Sequence, residues 1–214
     1  MTNPATKGAT GNLVTLRQPT FLGKLNPPDR PKNADVRPRE YLTAKEIDRM
    51  RKAARGIGRH GTRDEALILV SYRHGLRVSE ACALRWDHID FDRALVQVHR
   101  AKGSIDSEHP LAGVELRALR KLKAKATTPF VFETERGGPM TTSAVRKLVA
   151  RAGVEAAIGF PVHPHMFRHG CGYKLANDGV DTRAIQHYLG HASIVHTTRY
   201  TEMRADRFKG FWRD

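Results

Sequence analysis

Four short stretches, far apart in the chain, hold side chains able to do chemistry: Arg77 to Glu80, Lys102, His165 to His169, and His191 to Tyr200. In His165-Met166-Phe167-Arg168, helical spacing points an imidazole and a guanidinium the same way and turns Met166 and Phe167 elsewhere. Such a pair suits an anionic oxygen, although alone it reads first as a surface His and Arg on a basic protein. Arg77 stands among Leu76, Val78, Ala81 and Leu84, so its charge needs an anion. Glu80 supplies one if the pair is structural; a phosphate is the functional alternative, because a guanidinium binds phosphate oxygens bidentately. Lys102 falls at an expected hairpin tip, where an ammonium is ordinarily turn decoration. Tyr200 follows His191 by nine residues and adds a hydroxyl, yet a lone tyrosine in a helix is most often simply packed.

Two histidine pairs, His165/His169 and His187/His191, have the i, i+4 spacing that chelates zinc from a helix. No glutamate takes the place of an HExxH base, and Arg168 would set a cation beside the metal, so no metal site is expected. No GxxxxGK[ST] loop is present, which leaves nucleotide-driven chemistry without support. No cofactor is expected.

What must hold these residues is a chain of 214 residues, enough for one domain of about 150 to 200 residues and an appendage. Lysine and arginine number 37 against 22 acidic residues, a net +15 that favours a polyanionic partner, nucleic acid first and an anionic membrane second. Cys82 and Cys171, the only cysteines, read as reduced, packed thiols. No run approaches the ~20 apolar residues of a spanning helix, and the first residues lack an apolar signal stretch, so a cytoplasmic protein is expected. Residues 1–40 hold six of the 11 prolines and seven cations against three anions, and read as an extended basic arm or a solvated tail. Order is expected from Tyr41. Thr43 and Glu46, and again Thr62 and Glu65, have capping-box spacing before helices over Ile47 to Arg55 and Arg63 to His74. A short helix over Ser79 to Leu84 precedes a hairpin of Ala94 to Val98 with His109 to Leu111. Further helices are expected over Val114 to Lys125, from Thr142 or Ser143 through Ala150, and over Met166 to Ala176, Thr182 to Leu189 and Thr197 to Arg204. Val131-Phe132 is a short strand candidate. The fold class is α+β, mainly helical, with a small antiparallel sheet.

Taken together and in order, these stretches resemble the tyrosine recombinase or phage integrase family. Gly75-Leu76-Arg77-Val78-Ser79-Glu80-Ala81-Cys82-Ala83-Leu84-Arg85-Trp86 looks like its first-arginine box, His165-Met166-Phe167-Arg168-His169 like its HxxR box, and Leu189-Gly190-His191 with Thr197-Thr198-Arg199-Tyr200 like the box that ends in the nucleophile. The resemblance spans roughly Tyr41 to Met203 and implies a catalytic domain over 41–204. It places the family's roles on Arg77, Lys102, His165, Arg168, His191 and Tyr200, with Glu80 in support. Arg77 and Arg168 would clamp the non-bridging oxygens of a DNA phosphodiester while Tyr200 attacks. His191 would donate a further hydrogen bond, His165 would help accept the tyrosine proton, and nearby cations would favour phenolate. Lys102 would protonate the departing 5′ oxygen. The implied product is a 3′-phosphotyrosyl link that can be rejoined without metal or ATP.

Larger relatives carry a helical core-binding domain before the catalytic one; here 40 Pro-rich residues take that place, as in the short recombinases that invert fimbrial promoter segments. The arm cations Lys24, Arg30, Lys32, Arg37 and Arg39 are then expected to hold phosphates and help encircle the duplex. The resemblance also implies a homotetramer on two double-stranded DNA sites, with room for an accessory directionality factor. The tail 205–214, with Phe208, Phe211 and Trp212, packs either on its own domain or on a neighbouring protomer. Two rivals are a type IB topoisomerase and a DNA-binding regulatory or architectural protein without catalysis. Small size and the form of the boxes favour recombination over the first, and six filled catalytic positions argue against the second.

Overall fold

Thr43 and Glu46 form the expected capping box: Thr43 Oγ1 accepts from the Glu46 N–H, the Glu46 carboxylate accepts from the Thr43 N–H, and helix α1 runs over Ala44–Gly56. The structure, a computed structural model, describes residues 39–100 and 104–202. Arg39 braces this helix start. Its guanidinium donates to both Glu46 oxygens and to Tyr41 O, and lies over the Tyr41 and Phe160 rings. Burial would raise the Glu46 pKa, but Arg39 and Thr43 hold it down to about 2. Arg39, expected among the phosphate-holding arm cations, thus has its planar fork taken by a carboxylate of the folded domain.

Helix α2 (Gly61–Arg73) carries the buried run Ala66 to Val70, none of it more than 2% exposed. The capping box expected at its start does not form. His60 is the N-cap and makes no side-chain cap, while Glu65 reaches across to Arg51 and Arg55 of α1. A carboxylate with two guanidinium partners gains more than one backbone N–H offers. Helix α3 (Val78–Ala83) follows, then a 3-10 turn over Trp86–His88. The sheet has three antiparallel strands in the order β1 (Ile89–Asp90), β2 (Leu95–Val98), β3 (Ser107–Pro110), with Val96 opposite both Ile89 and His109. Strand β1 was not expected, since two residues are too few to show alternation.

Helix α4 spans Gly113–Lys123, α5 Thr142–Glu155, α6 His165–Asn177, α7 Thr182–Leu189 and α8 Val195–Glu202. Thr141 caps α5 and the helix continues past Gly153, because the buried face of Val145, Val149 and Ala152 carries on through it. Val131 and Phe132 are buried but form no strand; isolated bridges pair Arg85 with Phe130 and Glu133 with Pro139. The fold is mainly helical α+β with one small antiparallel sheet, as expected. Its core has two parts. Leu42, Met50, Leu67, Phe132 and Phe167 belong to the larger, and Cys171, Ala176, Ile185, Leu189 and Tyr200 form the smaller. Helix α6 contributes to both. Cys82 and Cys171 are free and buried. Among the described residues no helix is long and apolar enough to cross a membrane.

Candidate active site

The site is built where α2 and α7 end. Gly75 adopts φ +57° just past α2, a left-handed turn that a side chain would strain, and a Cβ there would meet Leu189 Cδ2 at 2.4 Å. This close approach sets the carbonyls of Gly75 and Leu189 on either side of Arg168. The guanidinium of Arg168, 1% exposed, donates to Gly75 O at 2.7 Å and to Leu189 O. The Leu189 carbonyl, at the C-terminus of α7, lacks an intrahelical donor and carries the negative end of the helix dipole, so a buried cation is well matched to it. Burial still dominates, pulling the Arg168 pKa down to about 10, with Arg77 and Arg100 adding to it.

Arg77 is the N-cap of α3 and donates to Glu80 Oε1 at 2.7 Å, while Glu80 Oε2 accepts from the Arg77 N–H at 2.8 Å. The structural pairing anticipated for Glu80 is therefore present, yet 29% of the Arg77 side chain stays exposed, enough to meet a ligand. Glu80 also accepts from Arg100 at 2.9 Å. Arg100, wholly buried, donates in addition to the carbonyls of His74, Gly75 and Tyr188. It was not expected from the sequence, though a signal was there: Val96, Val98 and Arg100 alternate, so all three point inward.

His191 and Tyr200 come from α7's end and from α8. His191 Nδ1 is hydrogen-bonded to the Thr197 hydroxyl at 2.8 Å, and its ring lies 6.4 Å from that of Tyr200, nearly parallel. Tyr200 is 2% exposed, its hydroxyl 2.9 Å from His169 Nδ1. His165, expected to help accept the tyrosine proton, stands edge-on to His169 with ring centroids 4.5 Å apart, and is itself exposed. Burial, more than the cations around them, pulls the pKa of His169 and of His191 down to about 3. Burial also pushes the Tyr200 phenol up to about 12, outweighing Arg168 and Arg199, which favour phenolate. The cations thus favour phenolate as expected, but burial outweighs them in the free protein: at neutral pH both imidazoles are neutral and the phenol keeps its proton. His169 Nδ1 is within hydrogen-bond reach of that proton. Chemically, the cluster offers two guanidinium groups for an anion, an imidazole donor, and a hydroxyl beside a base.

Arg77, Glu80, His165, Arg168, His191 and Tyr200 are thereby brought into one neighbourhood. Lys102 lies outside the described residues, as do Lys24, Arg30, Lys32 and Arg37 of the arm and the tail 205–214. Among the described residues no three His, Cys, Asp or Glu side chains are grouped to hold a metal.

Residues 40–207 match the phage integrase family. The type 1 fimbriae regulatory protein FimB of Escherichia coli K12 is 40% identical over 185 residues, covering 84% of this chain and 92% of that protein. Tyrosine recombinase XerC of Xylella fastidiosa strain M23 is 40% identical over 147 residues, which is 67% of this chain and 49% of that one. Among solved structures, XerA recombinase superposes with a TM-score of 0.68 at 28% identity, over 86% of this chain and 65% of that one. XerH bound to its difH substrate gives 0.68 at 20% identity, over 80% and 53%. The chain therefore spans about half to two thirds of those longer recombinases and nearly all of FimB.

Proposed function

The chain belongs to the phage integrase family, and on that premise we propose a site-specific DNA recombinase that cuts and rejoins strands through Tyr200. The observation that carries the assignment of roles is the junction of α2 and α7. Arg168 bridges the Gly75 and Leu189 carbonyls, with Arg77 at the next helix start and His191 and Tyr200 on the far side. A scissile phosphate seated there meets Arg77 and Arg168 through its non-bridging oxygens, whose charge grows as the fifth P–O bond forms. Tyr200 passes its proton to His169, attacks phosphorus, and expels the 5′ oxygen, which leaves as a hydroxyl on taking a proton from Lys102. The strand is then held as a 3′-phosphotyrosyl ester, and the reverse attack by a different 5′ hydroxyl completes exchange. His165, at the rim, relays the proton from His169. Double-stranded DNA is the substrate, bound by a homotetramer spanning two sites, with the arm residues Lys24, Arg30, Lys32 and Arg37 against the backbone and the tail against a neighbour. An accessory directionality factor and a bacterial cytoplasmic setting complete the reading. XerH, solved on its difH substrate, and the likeness to FimB and XerC support it.

The test begins by selecting genomic fragments that the full chain binds and building nicked duplexes from them. Wild-type protein is expected to yield a covalent protein–DNA adduct and Tyr200→Phe none at equal binding. Tight binding without adduct would leave only a binding protein, and adduct with relaxation of any plasmid but no exchange between paired sites would indicate a topoisomerase.

A further inference from the structure

We propose that Arg100 is a positioning residue that sets the phosphate clamp of Arg77 and Arg168, an inference that rests on the recombinase reading. Arg100 reaches no solvent, its side chain being 0% exposed, and it does not lie among the cluster's reacting groups. Every hydrogen bond its guanidinium makes nevertheless goes to a segment that carries the site. It shares Glu80 with Arg77, Oε2 to Arg100 and Oε1 to Arg77. It shares the Gly75 carbonyl with Arg168. It holds His74 O at the end of α2 and Tyr188 O in the last turn of α7, next to the Leu189 carbonyl that Arg168 binds. Its aliphatic stem fits against Gly190, where a Cβ would meet Arg100 Cγ at 2.8 Å, and Gly190 precedes His191.

Two consequences follow from this sharing. Glu80 divides its two oxygens between two cations, so neither guanidinium captures both. Without Arg100, more of the Glu80 charge is left to Arg77, whose N–H already holds Oε2, and the Arg77 guanidinium is drawn toward the carboxylate and away from a phosphate. The second concerns spacing. Arg100 and Arg168 together tie the end of α2 to the end of α7, so loss of one tether loosens the gap across which Arg168 is held. A site pocket filler would serve as well with an aliphatic side chain continuing Val96 and Val98, and a buried cation is costly to keep. The arrangement accounts for that cost by making Arg100 the common reference for both clamp residues.

The clamp exists to offset negative charge on the non-bridging oxygens, so a scissile phosphate made neutral by replacing one such oxygen with a methyl group needs it less. Full-length wild type, Arg100→Gln and Arg100→Lys are compared on nicked duplexes of a selected site, with either the ordinary phosphodiester or a methylphosphonate at the cleavage point. Arg100→Gln is expected to form adduct about 10²-fold more slowly than wild type on the phosphodiester, with DNA affinity and cooperative melting retained. On the methylphosphonate the deficit relative to wild type is expected to shrink about tenfold or more, as it should for Arg77→Ala. Arg100→Lys, which keeps the charge but not the fork, falls between. An equal deficit on both substrates, or none on either, overturns the proposal, since Arg100 then acts on something other than the clamp. Loss of folding in both variants overturns it as well. Absence of adduct with wild type would instead sink the recombinase reading itself, and this inference with it.

Discussion

Between the Gly172 backbone and the Tyr200 ring there is no room for a methyl group: a Cβ at position 172 would stand 2.6 Å from Tyr200 Cε2 and 2.8 Å from Cδ2 and Cζ. Helix α6 therefore does two things to the proposed nucleophile, seating its ring against Gly172 and holding its hydroxyl at His169 one turn earlier. Gly172→Ala is expected to push the ring aside and break the His169 bond while leaving Arg77 and Arg168 untouched. Adduct formation should fall about 10²-fold, since misplacing a reacting atom by an ångström costs that much. DNA affinity should stay unchanged and stability should drop by about 1–3 kcal/mol. Adduct at the wild-type rate would show that Tyr200 does not react from this seat. The side chains that cluster were legible in the sequence because their types and spacing are themselves chemical: Arg77 near Glu80, His165 three before Arg168, Tyr200 after His191. Their supports were not. The spacing gives His169 no role beyond half of a zinc-like pair, Gly172 has meaning only once α8 packs on α6, and Thr197 only once α8 brings its hydroxyl to His191.

Helices were legible wherever the caps and the apolar period agreed, as at Thr43 and Glu46 opening α1 and at Thr182–Leu189, whose bounds are those expected. They misled where a side chain had a better partner elsewhere, as Glu65 found in Arg51 and Arg55. Arg39 is the same lesson at the domain edge, a cation that composition assigns to the arm and that Glu46 claims for α1. Arg39 therefore goes with the folded domain, and a chain starting there keeps the Arg39–Glu46 pair. Residues 1–38 hold Lys7, Arg17, Lys24, Arg30, Lys32 and Arg37 against Asp29 and Asp35. Each phosphate neutralised by a cation steepens the salt dependence of binding by about 0.9 in log–log slope. Deleting residues 1–38 should therefore flatten that slope by about 1 to 4, according to how many of Lys24, Arg30, Lys32 and Arg37 engage. Melting of the truncated protein should be unchanged. If affinity and slope were both unaltered, the arm would be a solvated tail.

Across the whole molecule, burial of ionisable groups makes stability depend on pH in a window that can be named. His109, His169 and His191 are 0%, 8% and 9% exposed, and burial holds each near a pKa of about 3 in the fold. In the unfolded chain a histidine titrates near ~6.5. Above that pH both states are neutral at these positions and nothing is gained or lost. As pH falls below ~6.5 the unfolded chain binds protons that the fold excludes, so stability declines, by at most ~1.4 kcal/mol per pH unit for each histidine. Carboxylates held low in the fold, Glu46 at about 2 and Glu115 lowered by His74 and Arg73 against burial, act in the same direction but only below their ordinary range near ~4.5. The interval from about 6.5 down to 5 therefore belongs to the histidines. The melting temperature should be level from pH 8 to 7 and fall steadily from about 6.5 to 5. A melting temperature flat to pH 5 would mean that these imidazoles are not buried neutral. Bound DNA should blunt the decline, because a phosphate set between Arg77, Arg168 and His191 favours the protonated imidazole that the empty fold rejects. The same histidines that make the free protein acid-sensitive would then report that the site is filled.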